Sequence, residues 1–156
     1  MEGTEMTFKL SNRSLSRLEG VDEGLVKVVK RAIEITPIDF GVTCGLRTLE
    51  TQKKLVAAGK SQTLKSKHLD GKAVDLVAWV EGEICWEANV YDDIAQAMRE
   101  AANELEVDGL RWGASWHISD ICDFMGTMEN AMMEYIDLRR SQGRRPFIDA
   151  PHFELA

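Results

Sequence analysis

The stretch SKHLDGKAVDLVAWV, residues 66–80, places an acidic residue inside an otherwise apolar strand pattern. Alternation puts Ala73, Asp75 and Val77 on one face of that strand. An unpaired carboxylate among apolar residues would cost several kcal/mol or would become protonated, so Asp75 requires a partner. His68, on the other side of the turn LDGK, is one candidate, and the rest of the fold must bring any others to it.

Hydrophobic periodicity divides the remaining chain into helices and short strands. Helical spacing occurs in VDEGLVKVVKRAIEIT, in LETQKKLVAAG after the capping residue Thr48, in VYDDIAQAMREAANELEV, and from Thr127 to Ser141. Strand patterns occur in DFGVTCG, AVDLVAWV, ICWEA, GLRWG and PFIDAPHFELA, the last interrupted by Pro151. Hairpins rather than regular crossovers join these strands, which predicts an α+β fold with a small, mostly antiparallel sheet flanked by helices. A length of 156 residues suits a single domain, 1–156.

Composition limits the partners and the compartment. Because the net charge is −7, we expect neither nucleic acid nor an anionic membrane as a partner. No stretch reaches the roughly 20 apolar residues of a membrane span, and the first twenty residues lack the apolar core of a secretory signal. We expect a monomer made in the cytosol without an export signal. The cysteines Cys44, Cys85 and Cys122 suit neither a disulfide framework nor a thiolate zinc site.

A second unusual stretch, DAPHFEL, lies at the end of the sequence. Alternation sends Phe153 and Leu155 toward the core and turns His152 to the opposite side. Pro151 breaks the strand, so the chain can bend and bring Asp149 toward the imidazole. Two imidazoles and one carboxylate form the ligand set of a catalytic zinc site, although manganese and cobalt accept the same donors.

Taken together, SKHLDGKAVDL, the arginine of CGLRT and DAPHFEL resemble the LAS zinc peptidases. This group holds D-alanyl-D-alanine carboxypeptidases, lysostaphin-like enzymes and the hedgehog signalling domain. The pattern SxHxxGxAxD with a distant DxPH is most similar to the L-alanyl-D-glutamate endopeptidases that serve as phage endolysins. The likeness covers about residues 10–155 and implies a hedgehog-like or D-Ala-D-Ala-peptidase-like fold.

The resemblance also implies roles for individual residues. His68, Asp75 and His152 would bind Zn²⁺, and Asp149 would act as the general base. Arg47 would be a second catalytic residue that binds or polarises the substrate beside the metal, and its planar guanidinium suits the free α-carboxylate of D-glutamate.

Further residues beside these motifs have more open roles. Ser66 would steady the loop or touch the substrate. RWGASWH resembles a Trp-Gly segment of the family, so Trp112 and Trp116 would border the cleft, with a core position as the alternative for each. His117 is adjacent but lies outside the motif. The Met-rich segment 117–146 departs from the family pattern, and its methionines would fill the core or form a lid.

The implied activity is hydrolysis of the L-alanyl-D-glutamate bond of peptidoglycan stem peptides by a phage endolysin. The protein would pass from the host cytoplasm to the cell wall through a separate membrane-permeabilising protein, because it is acidic and we expect no separate wall-binding domain. Two alternatives stay open: a D-alanyl-D-alanine carboxypeptidase with the same metal set, and a zinc-stabilised binding module without turnover.

Overall fold

The computed structural model describes residues 7–61 and 63–156. In this part of the chain, the elements in sequence order are α1 (Asn12–Arg17), α2 (Glu23–Ile35), β1 (Asp39–Cys44), α3 (Leu49–Ala57), β2 (Ala73–Val80), β3 (Glu83–Cys85), α4 (Ala88–Glu104), β4 (Leu110–Trp112), α5 (Met128–Ser141) and β5 (His152–Leu155). Short 3₁₀ turns cover Lys67–Asp70 and Ile121–Asp123. None of the helices described is long and apolar enough to cross a membrane.

The strands form one sheet around β2, and every pair is antiparallel. β1 pairs along one edge of β2, while β5 and β3 occupy successive parts of the other edge. β4 pairs with the free edge of β5. The predicted α+β fold with a mostly antiparallel sheet is therefore confirmed.

One face of the sheet is apolar, and the opposite face, which also holds the buried Ala73 and Val77, carries the polar residues and is called the polar face. Val74, Leu76 and Ala78 of β2 are completely buried in the core, as are Phe153 of β5 and Trp112 of β4. Helix α4 packs on this apolar face, and α2 and α5 pack against α4. The polar face carries the alternate residues of the same strands, as the period of two predicts.

Local sequence signals explain where the helices begin. The Asp22 side chain accepts hydrogen bonds from the backbone N–H groups of Gly24 and Leu25, which caps α2. The predicted cap at Thr48 is confirmed, since its hydroxyl oxygen accepts the N–H of Thr51. These caps satisfy donors that have no partner inside the helix.

Three expectations about the elements need correction. Residues 12–17, which lie outside every helix and strand expected from the sequence, form the short helix α1, which packs against β1. Of the ICWEA segment only Ile84 and Cys85 belong to a strand, which begins one residue earlier at Glu83, and Trp86 beyond it is 67% exposed. The last strand begins at His152 rather than near Pro146, because residues 146–149 follow an irregular path before Pro151.

The Met-rich segment is only partly core. Met128 and Met132 are buried on the inner side of α5, as core filling requires. Met133 is half exposed and Met125 is 98% exposed, so the core-filling prediction is wrong for these two. The helical period accounts for the difference within α5, because Met128 and Met132 are four residues apart and share one face.

A glycine turn fixes the position of His68. The 3₁₀ turn Lys67–Asp70 ends at Gly71, whose φ of +69° lies in the left-handed region. A Cβ at Gly71 would come within 2.4 Å of the Gly20 carbonyl oxygen. The Gly71 carbonyl also accepts the N–H of Asp22 at 2.7 Å, which ties this turn to the start of α2.

We predict that Gly71→Ala destabilises the fold by about 2 to 4 kcal/mol, since the strained φ and the collision with Gly20 add together. Gly59→Ala is the matched control, because Gly59 has a φ of +74° but no atom within 4 Å of its Cβ position. It should cost only about 1 kcal/mol. Denaturant unfolding of both variants measures the difference, and equal losses would contradict this account of the turn.

Candidate metal centre

The register of three strands brings polar side chains together around Asp75. Its direct cross-strand partner on β5 is His152. On β1 a register shift between Val42 and Cys44 sets Cys44 opposite Asp75. Residues directly opposite on neighbouring antiparallel strands hold their Cβ atoms about 4.5–5.5 Å apart. His68 joins them from the 3₁₀ turn that precedes β2.

Both imidazoles meet the same carboxylate oxygen. The distance from Asp75 Oδ1 is 3.2 Å to His68 Nε2 and 3.2 Å to His152 Nδ1. The two rings lie edge to face with centroids 5.1 Å apart. The structure therefore brings together the two histidines and the aspartate that the resemblance assigns to one metal site, and their binding of a metal stays a prediction.

The outer nitrogen of each ring faces a group that can only accept a hydrogen bond. His68 Nδ1 lies 2.7 Å from the Gly45 carbonyl oxygen. His152 Nε2 lies 2.8 Å from Glu154 Oε1. In the neutral imidazole that metal binding requires, the proton would therefore reside on the outer nitrogen, which leaves the lone pair of the inner nitrogen for a metal ion beside Asp75. This is the arrangement of metal-binding histidines, whose second N–H is held by a carbonyl or a carboxylate.

The two imidazoles and the Asp75 carboxylate stabilise each other's charged forms, which shifts the pKa values of all three groups. Burial alone would lower the pKa of His68, but its bonds to Asp75 and Cys44 raise that pKa to about 10. Burial likewise opposes the charge of His152, whose bonds to Asp75 and Glu154 raise its pKa to about 9. Burial would raise the pKa of Asp75, yet the two imidazoles hold it well below its usual range.

Asp149 reaches the same cluster from the bend before β5. The donor atoms of Asp75, Asp149 and His152 all lie within 4.8 Å of one another. The His152 N–H donates to the Asp149 carbonyl at 3.0 Å, and the Asp149 N–H donates to Gly113, so the bend is fixed by backbone bonds. Burial, with the charge of Asp75, raises the pKa of the Asp149 carboxyl. The predicted approach of Asp149 to the imidazole is present.

Cys44 requires a correction, because the sequence left all three cysteines outside the metal site. Its Sγ lies within 4.8 Å of donor atoms of His68 and Asp75. Asp75 therefore belongs to two possible sets of metal donors, one with Cys44 and His68 and the other with Asp149 and His152. Nitrogen, oxygen and sulfur donors of this kind suit a divalent transition metal. The register shift that sets Cys44 opposite Asp75 depends on strand pairing, and no local sequence pattern indicates it.

Arg47 lies beside the cluster and is held from three sides. Its Nη2 donates to Cys44 Sγ at 3.2 Å and lies 3.5 Å from Asp75 Oδ2. Its Nη1 donates to Gln52 Oε1 at 2.7 Å. Gln52 is completely buried on α3, and no local pattern distinguishes it from the other polar residues of that helix.

The cluster opens into a cleft of about 680 Å³. Among the predicted site residues, Arg47, Ser66, His68, Asp75, Trp116, Asp149 and His152 line it. Ser66 also caps the 3₁₀ turn by accepting the His68 N–H at 3.2 Å. Trp116 lies 5.5 Å from the His152 ring and stacks with Phe147, which places an aromatic wall next to the cluster.

Two neighbouring residues, Trp112 and His117, are not among those that line the cleft. Trp112 is completely buried, donates its indole N–H to the Ala150 carbonyl and stacks on Phe153. Its prediction as a substrate contact is wrong, because it belongs to the apolar face of β4. His117 Nε2 lies 3.0 Å from Glu134 Oε1, and the His117 ring stacks on Tyr135. Both partners belong to α5, so His117 is part of the contact with that helix.

Glu154 and Arg111 are site residues that the sequence analysis missed. They face each other across β4 and β5, with Arg111 Nη1 3.7 Å from Glu154 Oε2. Glu154 in turn holds His152. The period of two could have shown that Glu154 shares a strand face with His152, but the pairing of β4 with β5 was needed to add Arg111.

Known proteins resemble this chain over most of its length. A family model of the phage L-alanyl-D-glutamate peptidases matches residues 6–156. The L-alanyl-D-glutamate peptidase of Escherichia phage T5 is 35% identical over 118 residues, which span 73% of this chain and 85% of that protein. The crystal structure of the Serratia marcescens L-Ala D-Glu endopeptidase ChiX has a TM-score of 0.70 and 33% identity. It covers 96% of this chain, and this chain covers 91% of it.

These matches confirm the resemblance that the two histidine motifs and the arginine of CGLRT had indicated. The family model spans α1 to β5 and therefore includes every residue of the cluster around Asp75. The chain belongs to the phage L-alanyl-D-glutamate peptidase family.

Proposed function

We propose that the protein is a metal-dependent endopeptidase that hydrolyses the L-alanyl-D-glutamate bond of peptidoglycan stem peptides and acts as a phage endolysin. The observation that carries the proposal is the shared approach of His68 and His152 to Asp75, with Asp149 beside them at the floor of an open cleft. The family membership supports the same substrate, since the similar proteins are named for this bond.

His68, Asp75 and His152 would hold the metal ion, for which we propose Zn²⁺. Their inner nitrogens and the carboxylate are the donors that catalytic zinc sites use. When bound, Zn²⁺ supplies Lewis acidity that polarises a carbonyl and makes water a usable nucleophile near neutral pH. The Gly45 carbonyl and Glu154 keep the two rings in the orientation that binding needs.

Asp149 would act as the general base. Its carboxylate lies next to His152 and Asp75 without sharing their strand pairing, so it is free to face a water in the cleft. Burial raises its pKa, which makes the carboxylate a better proton acceptor. It accepts the proton of the attacking water and transfers it to the leaving amine of D-glutamate.

Arg47 would bind the α-carboxylate that D-glutamate carries beside the scissile amide. The bonds to Gln52 and Cys44 fix the guanidinium at the edge of the cluster and leave other N–H groups for the substrate. A planar guanidinium can hold a carboxylate through two parallel hydrogen bonds. Ser66 and Trp116, which line the cleft, would contact the bound peptide.

The site of action would be the bacterial cell wall. We propose that this single catalytic domain is made in the host cytoplasm, works as a monomer and reaches the wall through a separate permeabilising protein. The phage origin of the T5 relative supports this route. The net charge of −7 gives the protein no general attraction to an anionic wall.

We predict that purified peptidoglycan digested with this protein gains N-terminal D-glutamate and that a chelator abolishes the gain, while added Zn²⁺ restores it. Mass analysis of the released fragments and labelling of new amino termini measure the reaction. Release of free D-alanine instead would indicate a carboxypeptidase. Release that continues in chelator would contradict metal dependence.

We predict that Asp149→Asn lowers kcat by 100-fold or more and leaves one metal ion bound per chain, because a base is lost and the ligands remain. His152→Ala should lose the metal itself. Metal content by elemental analysis and turnover on wall fragments separate the two variants. Loss of metal from Asp149→Asn would show that Asp149 is a ligand instead of the base.

We predict that Arg47→Lys lowers kcat/KM by about 10- to 100-fold, because a single ammonium cannot replace two parallel charge-assisted hydrogen bonds. The loss should shrink on a substrate whose D-glutamate α-carboxylate is amidated, since the guanidinium then has no anion to bind. Metal content and thermal unfolding serve as controls for the bond to Asp75. Full activity of Arg47→Lys would exclude this role.

A further inference from the structure

Three lysines line the cleft of a protein that is otherwise acidic. Lys60, Lys65 and Lys67 come from the segment between α3 and β2, and all three line the same cavity as the cluster around Asp75. We call these three residues the lysine lip. The whole chain has 26 acidic and 19 basic residues, so a concentration of cations at this place is opposite to the overall charge.

The charges of the cleft are not balanced by its own carboxylates. Arg47 and Arg111 add to the three lysines, whereas only Asp75, Asp149 and Glu154 are acidic among the lining residues. Asp75 is engaged by both imidazoles, and Glu154 by His152. In the part of the chain that the structure describes, no carboxylate lies within ion-pair distance of a lysine of the lip.

Hydrogen bonds from a buried glutamine hold the segment that carries the lysine lip. The completely buried Gln52 donates through Nε2 to Ser61 Oγ at 2.8 Å and to the Thr63 carbonyl at 2.6 Å. Its Oε1 accepts from Arg47 at 2.7 Å. The Lys65 N–H donates to Thr63 Oγ1 at 2.9 Å. One buried amide therefore fixes this segment relative to the arginine beside the metal ligands.

We propose that the lysine lip is an anion subsite that binds carboxylates of the stem peptide beyond D-glutamate, and that it selects peptides with free carboxylates over those with amidated ones. The inference rests on the proposed function and adds a second recognition element to Arg47. An ammonium group is a compact point charge, so it attracts a carboxylate and gains little from a neutral carboxamide. Each exposed charge pair changes binding by a factor of up to about five, so three together can reach tenfold.

The test uses two tripeptides of one sequence, L-alanyl-γ-D-glutamyl-meso-diaminopimelate. In one the carboxylates of the third residue are free, and in the other they are carboxamides. The D-glutamate α-carboxylate is free in both, so the interaction with Arg47 is the same. The lip variant combines Lys60→Gln, Lys65→Gln and Lys67→Gln.

A matched control combines Lys9→Gln, Lys27→Gln and Lys30→Gln. These lysines are outside the cleft, on the lead into α1 and on α2, and their loss changes the net charge by the same amount. The control therefore separates a local subsite from general steering by the charge of the whole protein. Thermal unfolding of each variant confirms that it is folded.

We expect the parent protein to have about a tenfold higher kcat/KM for the free-carboxylate peptide at low ionic strength, and the preference to shrink in 0.5 M salt. The lip variant should treat the two peptides alike, and the control should keep the preference. A lip variant that retains the preference, or a parent protein without one, would overturn the proposal.

Calorimetric binding of both peptides to all three proteins keeps this test separate from the proposed function. If neither peptide is hydrolysed by the parent protein, the endopeptidase proposal fails, and the binding constants still decide the subsite. A preference for free carboxylates that is lost only in the lip variant supports the lysine lip. Equal binding of the two peptides by the parent protein counts against it.

Discussion

The carboxylate of Asp75 is the group on which the rest of the site depends. It stands in the middle of an apolar strand, where an isolated charge would be costly. One imidazole from the turn before β2 and one from the last strand each lie 3.2 Å from it. The outer nitrogen of each ring is held by its own hydrogen-bond acceptor. Such a buried network favours the fold only when every member is present, because a missing partner leaves an uncompensated charge.

Side chains alternate between the two faces of the sheet, so the same strands supply both core residues and site residues. Val74 and Leu76 anchor β2 in the core, while Asp75 between them points to the opposite face. On β5, Phe153 anchors the strand in the same way between His152 and Glu154. Because each site residue is flanked by residues locked in the core, its position follows from the packing of the sheet. Sites built on strands in this way are held more firmly than sites on loops.

The parts that sequence could predict are those with a local period or a local motif. The helical spacing of α2 and α4, the strand of Asp75 and the opposite facing of His152 and Phe153 follow from side-chain direction alone. Cys44, Gln52 and Arg111 could not be found in this way, since their places depend on a register shift, on helix packing and on strand order. Trp112 was misjudged for a related reason: its neighbour Arg111, not Trp112, lies on the polar face of β4.

The bend before β5 and the turn before β2 have a consequence for the durability of the folded chain. Asp75 and His152 are 77 positions apart, so a cation shared between them would join the middle of the polypeptide to its final strand as a reversible cross-link. A ligand that binds only the native state stabilises it by mass action, in proportion to the logarithm of its concentration. The lifetime of the protein against unfolding and proteolysis would then follow the supply of that ion in its surroundings.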